Sequence, residues 1–247
     1  MRHALRRRQW LNQACAIGLA TLVSWNIGLP QAAAAPGNVT AIDILLEPDA
    51  TMLEKAETTN ARLLRAYPQG FALDDTHRPH ITVIQRFVRT ADLDKVYAAA
   101  NDVLAQSKVR QMRLEAFRYF YLPSGATGLA AIVARPTPAL LALQADLLAA
   151  VAPYTAETGD STAFVTTPED PVIDPVLIAY VSTYDSIAAG RKYSPHVTTG
   201  VALKADLDKM LAQPFEAFSF APAGAAVYQL GQFGTASKKL KQLDFPK

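Results

Sequence analysis

Beyond residue 35 the apolar residues fall into two patterns. Short runs rich in Val, Ile, Thr and Tyr read as strands, and longer stretches with an apolar residue every three or four positions read as helices. Val39 to Leu46 is a β-type run stopped by Pro48. Over Ala50 to Ala66, residues Met52, Leu53, Ala56, Ala61, Leu63 and Leu64 lie at helical spacing between charges, and Tyr67-Pro68-Gln69-Gly70 ends the stretch. Phe71 to Arg78 is a polar connector into a strand over His80 to Val88. Thr90 reads as the N-cap of a helix over Ala91 to Gln106, with Leu93, Val96, Tyr97, Ala100, Val103 and Leu104 as its buried stripe. Val109 to Leu122 predicts a strand, Ser124 to Gly128 a hairpin turn, Leu129 to Val133 the returning strand, and Pro136 to Val151 an apolar helix. Tyr154 to Pro175 is rich in turn residues and predicts no regular element. Leu177, Tyr180, Val181 and Tyr184 share a helical face within Val176 to Ala188. A strand over His196 to Leu203 follows, then a charged helix over Ala205 to Ala212 and strands near Glu216 to Ala221, Ala225 to Gly231 and Lys239 to Phe245. The order is that of an α+β fold.

One stretch occurs twice. Arg78-Pro79-His80-Ile81-Thr82-Val83 and Ser194-Pro195-His196-Val197-Thr198-Thr199 both read Pro-His-x-Thr-x, and each opens a strand that is followed by a helix and further β-structure. Residues i and i+2 of a strand point to the same face, about 6 to 7 Å apart, so each copy presents an imidazole beside a hydroxyl. A single His-x-Thr carries little information. The sequence has only four histidines, and two of them share this context. The repeat predicts one domain of two related lobes with the His strands centrally paired.

The first 34 residues have a different character. Arg2, Arg6, Arg7 and Arg8 precede an apolar run from Ala14 to Leu29 and then Gln31-Ala32-Ala33-Ala34-Ala35, the layout of an export signal cleaved near Ala34. Arg7-Arg8-Gln9-Trp10-Leu11 also has the look of a twin-arginine signal. The expectation is a mature chain over residues 35–247, periplasmic or secreted, monomeric and not held at the membrane after cleavage. Removing the segment takes away four arginines and moves the formal net charge from +2 to −2. A chain without clustered Lys and Arg lacks the footprint of a protein that binds a long nucleic acid, which favours a small ligand. Cys15, the only cysteine, leaves with the signal, so neither a disulfide nor thiol chemistry is expected.

Two imidazoles without a cysteine or an activated serine point to general acid and base work. One His takes a proton from an attacking water and the other gives one to the leaving oxygen. The hydroxyls of Thr82 and Thr198 are placed to donate to phosphoryl oxygens. The scheme needs neither metal nor cofactor. Arg86, Tyr119, Tyr121 and Tyr193 are candidates for substrate contact, the arginine toward phosphate and the tyrosines toward a base. Two rival readings remain: a metal site built from Asp74, Asp75, His77 and His80, and a noncatalytic nucleotide- or anion-binding protein that uses the same four motif residues.

The paired His-x-Thr-x motifs resemble those of the two-histidine (2H) phosphoesterase superfamily, which includes the bacterial 2′-5′ RNA ligase-like proteins and the cyclic nucleotide phosphodiesterases. The closing Val227-Tyr228-Gln229-Leu230-Gly231 with a short basic strand after it is also similar to the ligase-like members. The resemblance implies a bilobed, pseudo-symmetric fold of two antiparallel sheets, with the His strands central, helices outside and the site in a V-shaped cleft. It implies cleavage or formation of bonds at 2′,3′-cyclic or 2′-5′ phosphates of a small nucleotide or oligonucleotide, with His80, Thr82, His196 and Thr198 as the matching catalytic pattern. The motifs lie 116 positions apart, which points to an insertion around Tyr154 to Pro175 suited to a lid. An export signal sits poorly with RNA ligation and favours hydrolysis.

Overall fold

The computed structural model describes residues 38–245. The expected export segment lies outside them. The elements run β1 (Val39–Pro48), α1 (Ala50–Ala66), β2 (Ile81–Arg89), α2 (Leu93–Gln106), β3 (Leu114–Ser124), β4 (Thr127–Ala134), α3 (Pro138–Val151), α4 (Pro175–Ile187), β5 (His196–Leu203), α5 (Lys204–Leu211), β6 (Phe218–Phe220), β7 (Pro222–Leu230) and β8 (Ala236–Gln242). Helix starts follow capping chemistry. Asp49 accepts from the Met52 N–H, and Thr137 and Asp174 cap α3 and α4, each with Pro at the first helical position. Thr90 does not cap α2 as the sequence suggested; it opens a 3₁₀ turn, Thr90–Asp92, and the α-helix begins at Leu93. The long strand starts later than its apolar run, because Val109–Gln111 turns first.

The strands form two antiparallel four-stranded sheets, β2-β1-β7-β8 and β5-β4-β3-β6. Two expectations change here. Each His strand is the edge of its sheet rather than central within it, although β2 and β5 meet in the middle of the molecule. The lobes are also not successive halves of the chain. The first sheet takes the strands nearest both ends of the described chain, and the second takes the middle, including the β3-β4 hairpin.

One face of each sheet enters a common core. Ile42, Ile44, Leu46, Ile81, Ile84, Val88 and Val227 come from the first sheet and Leu114, Ala116, Ile132, Ala134 and Val197 from the second; they pack with Val96 and Leu104 of α2 and Leu140, Leu143 and Leu147 of α3. At about 25 cal/mol per Å² of apolar area removed from water, this burial is the main favourable term in folding. The opposite faces carry the His-x-Thr residues. The insertion is no loose flap: Ala163, Phe164, Ile173 and Val181 pack on Val39, Ala41, Phe87 and Leu230, covering one end of the first sheet's other face. Backbone bonding of Val165 to Leu230 and the Gln229 amide on the Ala163 carbonyl fasten it there.

Candidate active site

Both motifs hold their histidine in the same way. The residue two positions before each His offers its carbonyl to the imidazole Nδ1, Arg78 O to His80 at 2.7 Å and Ser194 O to His196 at 2.8 Å. The intervening prolines explain this. Pro79 and Pro195 fix their own φ and push the preceding residue into extended backbone, which aims the carbonyl back at the ring. A carbonyl only accepts, so Nδ1 carries the proton in both rings; Nε2 of His196 has no partner among the described residues, and Nε2 of His80 faces Asp43.

Each His strand then bulges at the residue after the threonine. The register jumps past Val83 between Ile44 and Leu45, and past Thr199 between Ala130 and Ala131. A bulge leaves its extra residue out of the ladder and re-aims its neighbours. In both strands a buried side-chain amide takes up the freed carbonyl: Gln144 of α3 donates to Val83 O at 3.0 Å, and Asn60 of α1 donates to Thr199 O at 3.0 Å. The bracing is crossed. The helix after β1 supports the His strand of the second sheet, and the helix after β4 supports that of the first. Tyr184 of α4 adds a second donor to Val83 O, and Tyr193, three residues before His196, donates its hydroxyl to Thr82 O at 2.7 Å.

Behind the backbone the motifs differ. Asp43 on β1 is fully buried, and its Oδ2 accepts from Thr82 Oγ1 at 2.5 Å and Gln85 Nε2 at 3.0 Å and lies 3.4 Å from His80 Nε2. The Asp43 Oδ1 has no donor among the described residues. In the second sheet the positions equivalent by register to Asp43 and Gln85 are Leu129 and Val201. The Thr198 hydroxyl makes no hydrogen bond within the described residues, whereas that of Thr82 is committed to Asp43. The imidazoles respond in opposite directions. Burial pulls His80 down, but the hydrogen bond and charge of Asp43 outweigh it and leave the pKa raised. Burial also pulls His196 down; the nearby His80 charge adds to this, the Ser194 carbonyl and Asp43 oppose it only partly, and the pKa stays lowered. Between the two displaced values His80 is charged and His196 is neutral.

The two His strands meet, and the charge of His80 reaches His196; the other candidates take different positions. Arg86 pairs with Asp185 of α4 at 3.1 Å. Tyr193 is buried, with its hydroxyl on the Thr82 backbone, so it positions the first motif and does not face substrate. Tyr119 and Tyr121 point away from the His196 face. Tyr119 packs edge-on against Phe215, and Tyr121 donates to Asp208 of α5 at 2.6 Å. A bulge at Phe117 shifts the β3 register, so Arg118 and Phe120, opposite Val133 and Ala131, share the face of His196 and Thr198. Of the metal-site rival, His77 has Asp74 on Nδ1 at 3.1 Å and Asp170 on Nε2 at 3.0 Å, with Phe71 stacked on its ring at 4.4 Å. It fastens the insertion to the connector. Among the described residues no group of three His, Cys, Asp or Glu side chains is arranged to hold a metal ion.

Asp43 and Gln85 were missed by sequence reading. The available signal was one acid inside the otherwise apolar Val39 to Leu46. A cavity of about 350 Å³ opens beside His80, lined by Leu45, Glu47, Glu57, Asp74, Asp75, Arg78 and Tyr228. Four carboxylates against one arginine make that side unfavourable for a run of phosphates.

A search of curated proteins finds no match to the sequence. Among solved structures, TT0787 of Thermus thermophilus matches with TM-score 0.52 and 16% identity, covering 83% of this chain and 98% of that one. This likeness supports the fold. E. coli LigT complexed with NADP+ matches at 12% identity over 83% of this chain and 98% of its own, with TM-score 0.39, and Usb1 of Kluyveromyces marxianus at 10% over 82% and 97%, with TM-score 0.38. The family model of the 2'-5' RNA ligase superfamily spans residues 53–230, which takes in both His-x-Thr motifs. With that match across most of its length, the chain belongs to the 2'-5' RNA ligase superfamily of two-histidine phosphoesterases.

Proposed function

We propose that this protein is a metal-independent phosphodiesterase that hydrolyses 2′,3′-cyclic phosphates or 2′-5′ linkages of small nucleotides, in an exported form that begins near Ala35. The observation that carries the reading is the repeated His-x-Thr geometry with a buried carboxylate behind His80 alone, which favours the charged form of that imidazole over that of His196. His196, neutral and with Nε2 unprotonated, takes a proton from water as the oxygen attacks phosphorus. His80, held charged by Asp43, gives its Nε2 proton to the ribose oxygen as the P–O bond breaks. The reverse assignment would need both groups in their minority protonation states. Thr198 donates to a nonbridging oxygen and stabilises the charge that grows there. The acid-lined cavity beside His80 favours a short substrate over a long polyanion.

The test is turnover of 2′,3′-cyclic nucleotides, 2′-5′ dinucleotides and 3′,5′-cyclic nucleotides side by side, with and without a strong chelator. Hydrolysis of one of the first two that survives the chelator is expected. Activity that vanished and returned only with added zinc or manganese would overturn the mechanism. Intact mass of the protein from its native host is expected to show a chain starting near Ala35; a full-length chain in the membrane fraction would refute export.

A further inference from the structure

Gly231–Thr235 link β7 to β8, and this loop holds the only non-glycine residue with positive φ among the described residues, Phe233 at φ 63° and ψ 8°. A left-handed conformation costs free energy for any side chain with a Cβ and is rare for a bulky one. Good burial of the ring would offset that cost. Phe233 is instead 39% exposed, and its aromatic neighbour, Phe71, lies 5.6 Å away at a tilt of 35°. Among the described residues no Lys or Arg is stacked on it, unlike Phe117 and Phe120. Packing therefore does not account for an open aromatic face on strained backbone, and strain of this kind gathers where ligands are held.

The loop is anchored to both motifs. The Cβ position of Gly234 lies 3.6 Å from Gln85 Nε2, the group that donates to Asp43. Ala236 bridges to Arg78, whose carbonyl holds His80. On the other side, the carbonyl of Phe71 shares the Asn60 amide with that of Thr199, the residue after Thr198. The loop that carries Phe233 thus touches the supports of both motifs, and the ring's open, flat apolar face suits a flat partner. We propose that Phe233, backed by Phe71, is the platform on which the base of a nucleotide stacks while its phosphate lies between His80 and His196. This assignment rests on the reading in the preceding section and names what that section leaves open, the part of the substrate that is recognised.

The experiment compares adenosine 2′,3′-cyclic phosphate with glycerol 1,2-cyclic phosphate, which has the same strained phosphate ring and no base. Stacking predicts that the full-length protein prefers the nucleotide by about 10- to 100-fold in kcat/KM. Phe233→Gly is expected to collapse that ratio toward one through KM, Phe233→Trp to keep it, and the glycine variant to melt no lower than wild type because left-handed strain is relieved. A ratio unchanged by Phe233→Gly, or a loss of kcat on both substrates with a lowered melting temperature, overturns the platform and leaves the hydrolase reading standing. If neither compound is hydrolysed, the hydrolase reading fails and titration with adenosine 2′-monophosphate decides: affinity weakened about 10- to 100-fold by Phe233→Gly supports the platform, and equal affinity overturns it.

Discussion

The two His-x-Thr segments share a backbone and differ in what stands behind it. Both have a proline that aims a carbonyl at Nδ1, a bulge one residue past the threonine, and an amide from a helix of the opposite half on the bulged carbonyl. Behind the first lies a buried carboxylate with a glutamine; behind the second lie Leu129 and Val201. Under the proposed mechanism, the symmetric geometry would supply two proton-transfer groups at one phosphate. The asymmetric backing favours the proton on His80, where a pair of identical groups would share it between two equivalent arrangements.

The largest effect should come from deleting either ring. His80→Asn and His196→Asn are each expected to lower kcat by about 10²- to 10⁴-fold, measured on folded protein with a 2′,3′-cyclic nucleotide. A mutant retaining full rate would remove that half from the mechanism. The threonines should then separate. Thr198→Val is expected to cost about 10²-fold in kcat as a lost transition-state donor, and Thr82→Val clearly less, because its hydroxyl already serves Asp43. Equal losses would mean that Thr82 turns toward substrate during turnover.

A third comparison is made through pH. The rate profile is expected to be a bell, with the acid limb from protonation of His196 and the alkaline limb from deprotonation of His80, each value belonging to the coupled pair. Asp43→Asn should draw the alkaline limb downward, with about tenfold or more of the rate lost on the alkaline side, and move the acid limb less. Leu129→Asp, which gives the second half the same backing, should move the acid limb upward. A profile indifferent to Asp43→Asn would reduce that residue to a structural role.

Much of this was legible beforehand. The repeat itself gave the four motif residues, and apolar periodicity gave all five α-helices to within a few residues. What escaped had local causes. A carboxylate in mid-strand is an interruption until the partner strand is known, and only the pairing of β1 with β2 sets Asp43 beside His80. Tyr119 and Tyr121, candidates for substrate contact, lie on the face away from His196 because one bulge at Phe117 inverts the parity of the strand after it. Gln144 sits among alanines and leucines, where helical spacing reads it as incidental.

Smaller differences concern stability. Leaving a buried carbonyl without its donor costs about 1–3 kcal/mol. Asn60→Leu should reach the upper part of that range, because Thr199 O has no second side-chain donor among the described residues, and Gln144→Leu should cost less, because Tyr184 also serves Val83 O. Thermal melting that ranks them the other way would contradict the crossed bracing. Smallest is a pH effect on melting. His80 has a raised folded value, so its contribution is fully present below the ordinary imidazole value and fades as pH rises through the raised one. Wild type should exceed Asp43→Asn by a wider margin on the acid side of that interval than on the alkaline side, a difference of about 1 to 3 °C.

The route of the chain through the first sheet bears on how the molecule comes into being. β1 is the first strand described, yet one of its two partners is β7, with Ile42 opposite Gln229. During synthesis β1 must wait until residues 222–230 have been made before its second ladder closes, and such distant pairings fold slowly. Because each half's histidine strand leans on a helix from the other half, a fragment ending at the insertion would carry His80 without Gln144's partners from α4 or the Tyr193 hydroxyl, and one beginning there would carry His196 without Asn60. Neither piece keeps the full support of its own motif, so the two histidine strands are braced only when both parts of the chain are present.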